Sequence, residues 1–165
     1  MHTRLVKPRH GPSLLVRPLS HGDVGTVAAV FGRLGERSRR ARFNGSKPCL
    51  SAAELEQLAT VDGTHHALVG YVEGDPDPAA IASLVRNDRD TAEIAFAVAD
   101  AYQHRGIGSA LARELLDDAR AAGIAEVTAL TRNDNPATLA LLRRCARVLD
   151  VHFEGAELSI RAAIA

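Results

Sequence analysis

Apolar and polar positions follow two different rhythms along this chain. In the first half, "SLLVRPL" reads as a short strand. In "HGDVGTVAAVFGRLG", Val24, Val27, Ala28, Val30, Phe31 and Leu34 recur at helical spacing, although the glycines make this a weak helix. "ERSRRARF" continues as a second short helix with an arginine-rich face, either solvated or a wall for an acidic or phosphorylated partner. "LSAAELEQLATVDG" predicts a firmer helix. Ser51 followed three residues later by Glu54 is a capping-box signature, and Gly63 is expected to stop the helix. Three β-rich runs come next, "HHALVGYVEG", "AAIASLVRN" and "TAEIAFAV". The short turns "DPDP" and "DRD" between them predict antiparallel neighbours.

The second half changes to long helices between strands. Ile107, Leu111, Ala112, Leu115, Leu116 and Ala119 form one apolar stripe, with Arg113, Glu114, Asp117, Asp118 and Arg120 opposite. Gly123 suits the end of that helix. "AEVTAL" reads as a short buried strand. Asp134 or Asn135 can then cap a helix that starts at Pro136 and carries Leu139, Leu141, Leu142 and Cys145 on one side. "RVLDVHFEG" and "AELSIRAAI" predict a closing hairpin. The order, strand, helices, meander, then β–α–β–α–β–β, belongs to an α/β (α+β) domain.

Composition narrows the function more than the fold. The 165 residues suit one compact domain, read as a flexible amino-terminal arm over 1–12 and a single domain over 13–165. Twenty Lys+Arg balance twenty Asp+Glu, so nothing in the overall charge favours nucleic acid or an anionic membrane as partner. "MHTRLVKPRH" is not followed by an apolar secretory core, and Cys49 and Cys145 are far apart and unpatterned. A cytoplasmic protein with free thiols and no metal site is expected.

The informative stretch is "VADAYQHRGIGSALARELL", where a strand-like run passes through a glycine-punctuated turn into a helix. A helix start offers unpaired N–H groups and a partial positive charge, which phosphates bind readily. Gly106 and Gly108 would let an anion approach the backbone, with Arg105 and His104 adding charge and a donor. A phosphate loop ending in Gly-Lys-Ser/Thr is absent, and a dinucleotide fingerprint would need a third glycine and an acidic residue after the next strand.

"QHRGIGSALARELL" resembles the acyl-CoA pyrophosphate motif of the GNAT family of N-acetyltransferases, through Gln103, Gly106 and Gly108, with Arg105 and Ile107 also typical. A strand before the motif, "AEIAFAVAD", and an asparagine-led helix after it, "NDNPATLALLRRCA", match that family too. The resemblance covers about Thr91 to Ala146 well. It implies a mixed central sheet with an antiparallel amino-terminal meander, flanking helices, and a V-shaped splay after the fourth strand. Acetyl-CoA is the implied cosubstrate and an amine the implied acceptor. Pantetheine would lie along backbone groups near Phe96 and Val98. Pyrophosphate would sit on N–H groups of Gln103, His104, Arg105, Gly106, Ile107, Gly108 and Ser109, and Asn135 would contact the cofactor. Whether the chain forms a homodimer is left open.

Acyl transfer to an amine also needs a base. Glu93 is a lone acid in the apolar run "AEIAFAV", and it shares a face with Ala95 and Ala97, whose small side chains leave room for substrate. Burial beside apolar neighbours is expected, and the placement resembles that of the base glutamate in several protein-acetylating family members. His65 or His66 is a second choice for moving a proton. The family often carries a tyrosine in the helix after the asparagine, as acid for the departing thiol; Leu142 stands there instead. A thiol of pKa about 8.5 leaves tolerably without it. Arg42-Phe43, the helix start from Leu50 to Leu55, Asp62 and Ala92-Glu93 also resemble bacterial protein-lysine acetyltransferases. A small-amine acetyltransferase and a non-catalytic acyl-CoA sensor are the alternatives.

Overall fold

Eight strands form one sheet in the computed structural model, which describes residues 2–43, 47 and 49–164. Met1 and Ala165, the ends of the expected arm and domain, lie outside the described residues. In chain order the elements are β1 (Arg4–Val6), β2 (Leu14–Pro18), α1 (Val24–Gly32), α2 (Glu36–Phe43), α3 (Ala52–Leu58), β3 (His65–Val72), β4 (Ala80–Arg86) and β5 (Thr91–Val98). A 3₁₀ turn (Asp100–Tyr102), α4 (Ile107–Ala121), β6 (Glu126–Arg132), α5 (Ala137–Cys145), β7 (Arg147–Glu154) and β8 (Glu157–Ala163) follow. The strand order is β1-β2-β3-β4-β5-β6-β8-β7. Every neighbouring pair is antiparallel except β5 and β6.

Strand alternation sorts side chains onto two faces. On one, Leu68 and Val72 of β3, Ala92 and Ile94 of β5 and Val127 and Ala129 of β6 join Ile107, Leu111, Leu115 and Leu116 of α4 and Leu142 of α5 in the main core. On the other, Ala67 and Val69 pack with Val27 of α1 and with Leu55 and Leu58 of α3, while Ala97 closes against Val30, Phe31 and Leu34. The apolar stripe of α4 explains its length and burial. Gly123, at φ 82°, ends it, with the Ile124 N–H reaching back to the Ala119 carbonyl at 3.0 Å.

The splay follows from where parallel pairing stops. β5 and β6 are in register only at Thr91↔Glu126, Ala92↔Val127 and Glu93↔Thr128. Beyond Glu93 the two strands separate, which leaves residues 94–98 of β5 without a strand partner on that side.

Three local expectations change. Residues 4–6, expected in a loose arm, form β1. Arg4 holds that edge strand to α4 with bonds to both Asp118 carboxylate oxygens (3.0 and 2.8 Å) and an ion pair to Glu114 at 2.8 Å. α3 starts on the expected capping box but ends at Leu58, well before Gly63. α5, expected to start at Pro136, starts at Ala137 with Pro136 as its N-cap.

Candidate functional site

The turn that feeds α4 leaves backbone N–H groups at the start of the helix without partners among the described residues. His104 and Gly106 both take left-handed backbone, at φ 60° and 78°. Gly106 is needed for a second reason: a Cβ there would lie 2.9 Å from the His10 carbonyl oxygen. Gly106 provides no side-chain cap, and the first helical bond runs from the Ala110 N–H to its carbonyl at 2.9 Å. The N–H groups of Ile107, Gly108 and Ser109 therefore have no acceptor within the helix. His104 and Arg105 are exposed at the rim, and the Arg105 guanidinium lies 5.8 Å from the Tyr102 ring centre. The donor set, bare N–H groups beside exposed cations, fits a pyrophosphate.

Not every residue of the motif faces the anion. The Gln103 side chain turns inward and donates to the Val98 carbonyl (3.0 Å) and to Ser38 Oγ (2.9 Å). Ser38 in turn donates to Asp100 Oδ1 at 2.7 Å. Gln103 thus clamps the end of β5 to the start of α2. A Cβ on Gly108 would meet Val98 and Leu141 at 3.5 and 3.4 Å, so its missing side chain opens the splay between β5 and α5. Asn135 is half-buried and used locally. Its amide donates to the buried Thr131 hydroxyl (3.1 Å), and its oxygen accepts from the Ala137 N–H (3.3 Å) ahead of α5, whose N-cap is Pro136. Phe96 and Val98 point their side chains into the main core, and their backbone lines the splay.

The opposite face of β5 borders a cavity of about 270 Å³. His65, Val85 and Glu93 stand in one cross-strand row on its floor, and Ala67, Ser83 and Ala95 in the next. Arg42 and Phe43 of α2, Leu50, and Glu54, Gln57 and Leu58 of α3 wall it. Small side chains in the second row leave the depth, as expected for Ala95. Glu93 itself is exposed at the mouth rather than buried, although Val85 and Thr128 still flank it in the sheet. It is the last β5 residue paired to β6, so it stands at the apex of the splay. His65 Nδ1 lies 3.0 Å from the Thr64 hydroxyl and 3.3 Å from Asp62. His66 is turned to the other face, where Nε2 lies 3.0 Å from Asp118.

Charges around the cavity are unequally matched. The Glu54 carboxyl is held at about 2 by the Lys47 ammonium and by Ser51. Burial pushes the Arg42 guanidinium down, and the Glu93 charge opposes that. Arg42 was legible as part of an arginine-rich helix and, with Phe43, as a point of family resemblance, but not as a cavity residue; Gln57, Thr60 and Ser83 carried no signal of their own. On the cradle side, Tyr102 donates to Asp75 at 2.7 Å, which pushes the phenol up and commits it to structure. Cys145 is half-buried, and burial pushes its thiol up.

No helix among the described residues is long and apolar enough to cross a membrane. Comparison with known proteins agrees with the geometry. Acetyltransferase Pat of Mycolicibacterium smegmatis is 33% identical over 147 residues, covering 87% of this chain and 44% of that protein. Acetyltransferase PA5475 of Pseudomonas aeruginosa is 30% identical over 121 residues, covering 71% of this chain and 65% of that protein. The chain thus spans less than two thirds of either relative. The crystal structure of the GNAT domain of S. lividans PAT superposes with a TM-score of 0.85 at 24% identity, covering 98% and 96% of the two chains. The sequence profile of the Acetyltransferase (GNAT) family matches residues 34–146, and the chain belongs to that family.

Proposed function

We propose that this protein transfers an acetyl group from acetyl-CoA to a primary amine, a protein lysine in the reading favoured by relatives named Pat, by direct attack in a ternary complex. The observation that carries the reading is the apex of the splay. The anion cradle opens on one side of β5 and the cavity on the other, and Glu93 stands where they meet. Acetyl-CoA supplies an activated thioester; the chain binds it, orients the amine and moves a proton. The N–H groups at the start of α4 hold the pyrophosphate, and the free edge of β5 from Ile94 to Val98 lines the pantetheine path.

A lysine with pKa near 10.4 is neutral only about one part in 10³ at pH 7. Glu93 takes the amine proton, directly or through a water at the cavity mouth. The C–N bond forms, the C–S bond breaks, the nitrogen gives up its second proton to water to become the amide, and the thiolate leaves to collect a proton from solvent. Leu142 and the committed Tyr102 offer no acid, and a thiol of pKa about 8.5 does not demand one. This chemistry belongs where acetyl-CoA is made, so the reading places the protein in the cytoplasm.

The test is to incubate the protein with acetyl-CoA and a cell lysate, follow CoA release, and map new acetyl groups by mass spectrometry. Acetylated lysines that depend on the protein support the reading. Release only with small amines shifts it to a small-amine acetyltransferase. Tight acetyl-CoA binding without CoA release from any amine would make the protein a sensor.

The cradle has its own test. Gly108→Glu sends a long, negative side chain past Val98 and Leu141 into the splay. Calorimetry should show at least about tenfold weaker acetyl-CoA binding, about 1.4 kcal/mol. Unchanged affinity in a folded variant would remove the assignment.

A further inference from the structure

The acceptor cavity is lined by a cation, Arg42, that has no hydrogen-bonded or ion-paired acceptor among the described residues. Arg42 sits in the last turn of α2, half-buried, and lines the cavity. Its guanidinium carries five N–H donors in a planar fork. Among the described residues it lies over the Phe43 ring at 5.1 Å, and it has no hydrogen-bonded or ion-paired acceptor. Its donors face the cavity and are free to take an acceptor from a bound molecule. The acids nearby do not fill the need. Glu54 is taken by Lys47 and Ser51. Glu93 lines the same cavity and its charge acts on Arg42, but the two do not close an ion pair.

Resting on the acyl-transfer reading above, we propose that the acceptor carries a carboxylate within reach of its amine, and that Arg42 binds that carboxylate while the amine faces Glu93. A planar guanidinium matches a carboxylate with two parallel bonds, which orients the molecule as well as holding it. Glu93 at the other end suits an ammonium. Two sources share this chemistry: a lysine beside an acidic residue in a protein, and a free amine that bears its own carboxylate. A neutral acceptor leaves Arg42 unmatched, and an acceptor flanked by cations meets repulsion.

Two matched pairs test the proposal. One is γ-aminobutyrate against butylamine. The other is a lysine peptide flanked by aspartate against the same peptide flanked by asparagine. CoA release at saturating acetyl-CoA gives kcat/KM for each. In the wild type the carboxylate member of at least one pair should be favoured by about tenfold or more, in line with a charge-assisted bond. Arg42→Gln should bring that ratio close to one, and Arg42→Lys, which keeps the charge and loses the fork, should restore part of it. The pair that shows the preference identifies the source. A wild-type ratio near one in both pairs overturns the proposal. So does a ratio unchanged in Arg42→Gln, or equal loss on all acceptors, which would make Arg42 a support for Glu93.

Calorimetric titration of the same compounds into the protein–CoA complex separates the two readings. An Arg42-dependent binding preference without turnover would sink acyl transfer and leave this proposal standing. Binding without preference would overturn it.

Discussion

Replacing Glu93 by glutamine is expected to lower turnover at pH 7 by about 10²–10⁴-fold, the usual contribution of a general base. The amide keeps the shape of the side chain and cannot accept a proton. Glu93 is exposed at the mouth of the cavity, so the substitution leaves the packing of Ala92 and Ile94 on the other face untouched. Acetyl-CoA affinity should hold, because the cradle lies at the start of α4. The deficit should narrow as pH rises, since more of the amine then arrives neutral and less depends on the base. Near-normal turnover at pH 7 would move the base elsewhere. His65 is next, because it lies in the same cross-strand row and lines the same cavity. His66 is not equivalent, since its ring is engaged with Asp118 on the opposite face. A collapse in acetyl-CoA affinity would instead make Glu93 a structural residue.

Leu142→Ala should destabilise the fold by about 2–5 kcal/mol in denaturant unfolding, with turnover per folded molecule little changed. Leu142 is fully buried and belongs to the core that joins α4 and α5 to the sheet. Truncation removes transfer energy and leaves a cavity where the neighbouring strands and helices cannot close in. At this position the family often places a tyrosine. Here it is filled by a side chain without a proton to give, so the variant separates packing from chemistry. Lost turnover with stability intact would mean that α5 contributes to the reaction directly.

The two predictions differ in how visible their residues were. Leu142 was legible as core because it shares a helical stripe with Leu139 and Cys145. Glu93 stood out as a lone acid in an apolar strand, yet its environment was misjudged. Period-two alternation gave the face correctly, with Ala95 and Ala97 beside it, but alternation on one strand does not say what packs over that face. Glu93 is paired on both sides in the sheet and is still exposed. The Gln103 and Asn135 side chains make local bonds that the motif reading, which gave cofactor contact to the Gln103 N–H and to Asn135, did not include. The amino-terminal residues looked loose because three residues are too short for a periodic signal. Arg4 becomes ordered through carboxylates more than a hundred positions away.

Sequence alone determined what is local: the strand and helix rhythm, the capping box at Ser51, the left-handed turn that Gly106 permits, and the glycine-marked helix start that leaves N–H groups bare. These depend on backbone sterics and on neighbours within a few residues, so the order of residue types suffices. Tertiary structure decided what lies across the sheet. The two-sided site exists because β5 and β6 part after three register pairs, with the open edge of β5 on the cradle side and Glu93 at the apex. Arg42 enters the same cavity because α2 is seated over that face of the sheet by the Ser38–Asp100–Gln103 bonds and by Phe43 packed on Phe31. Such placements come from long-range packing and hydrogen bonding, which join residues that no local pattern connects.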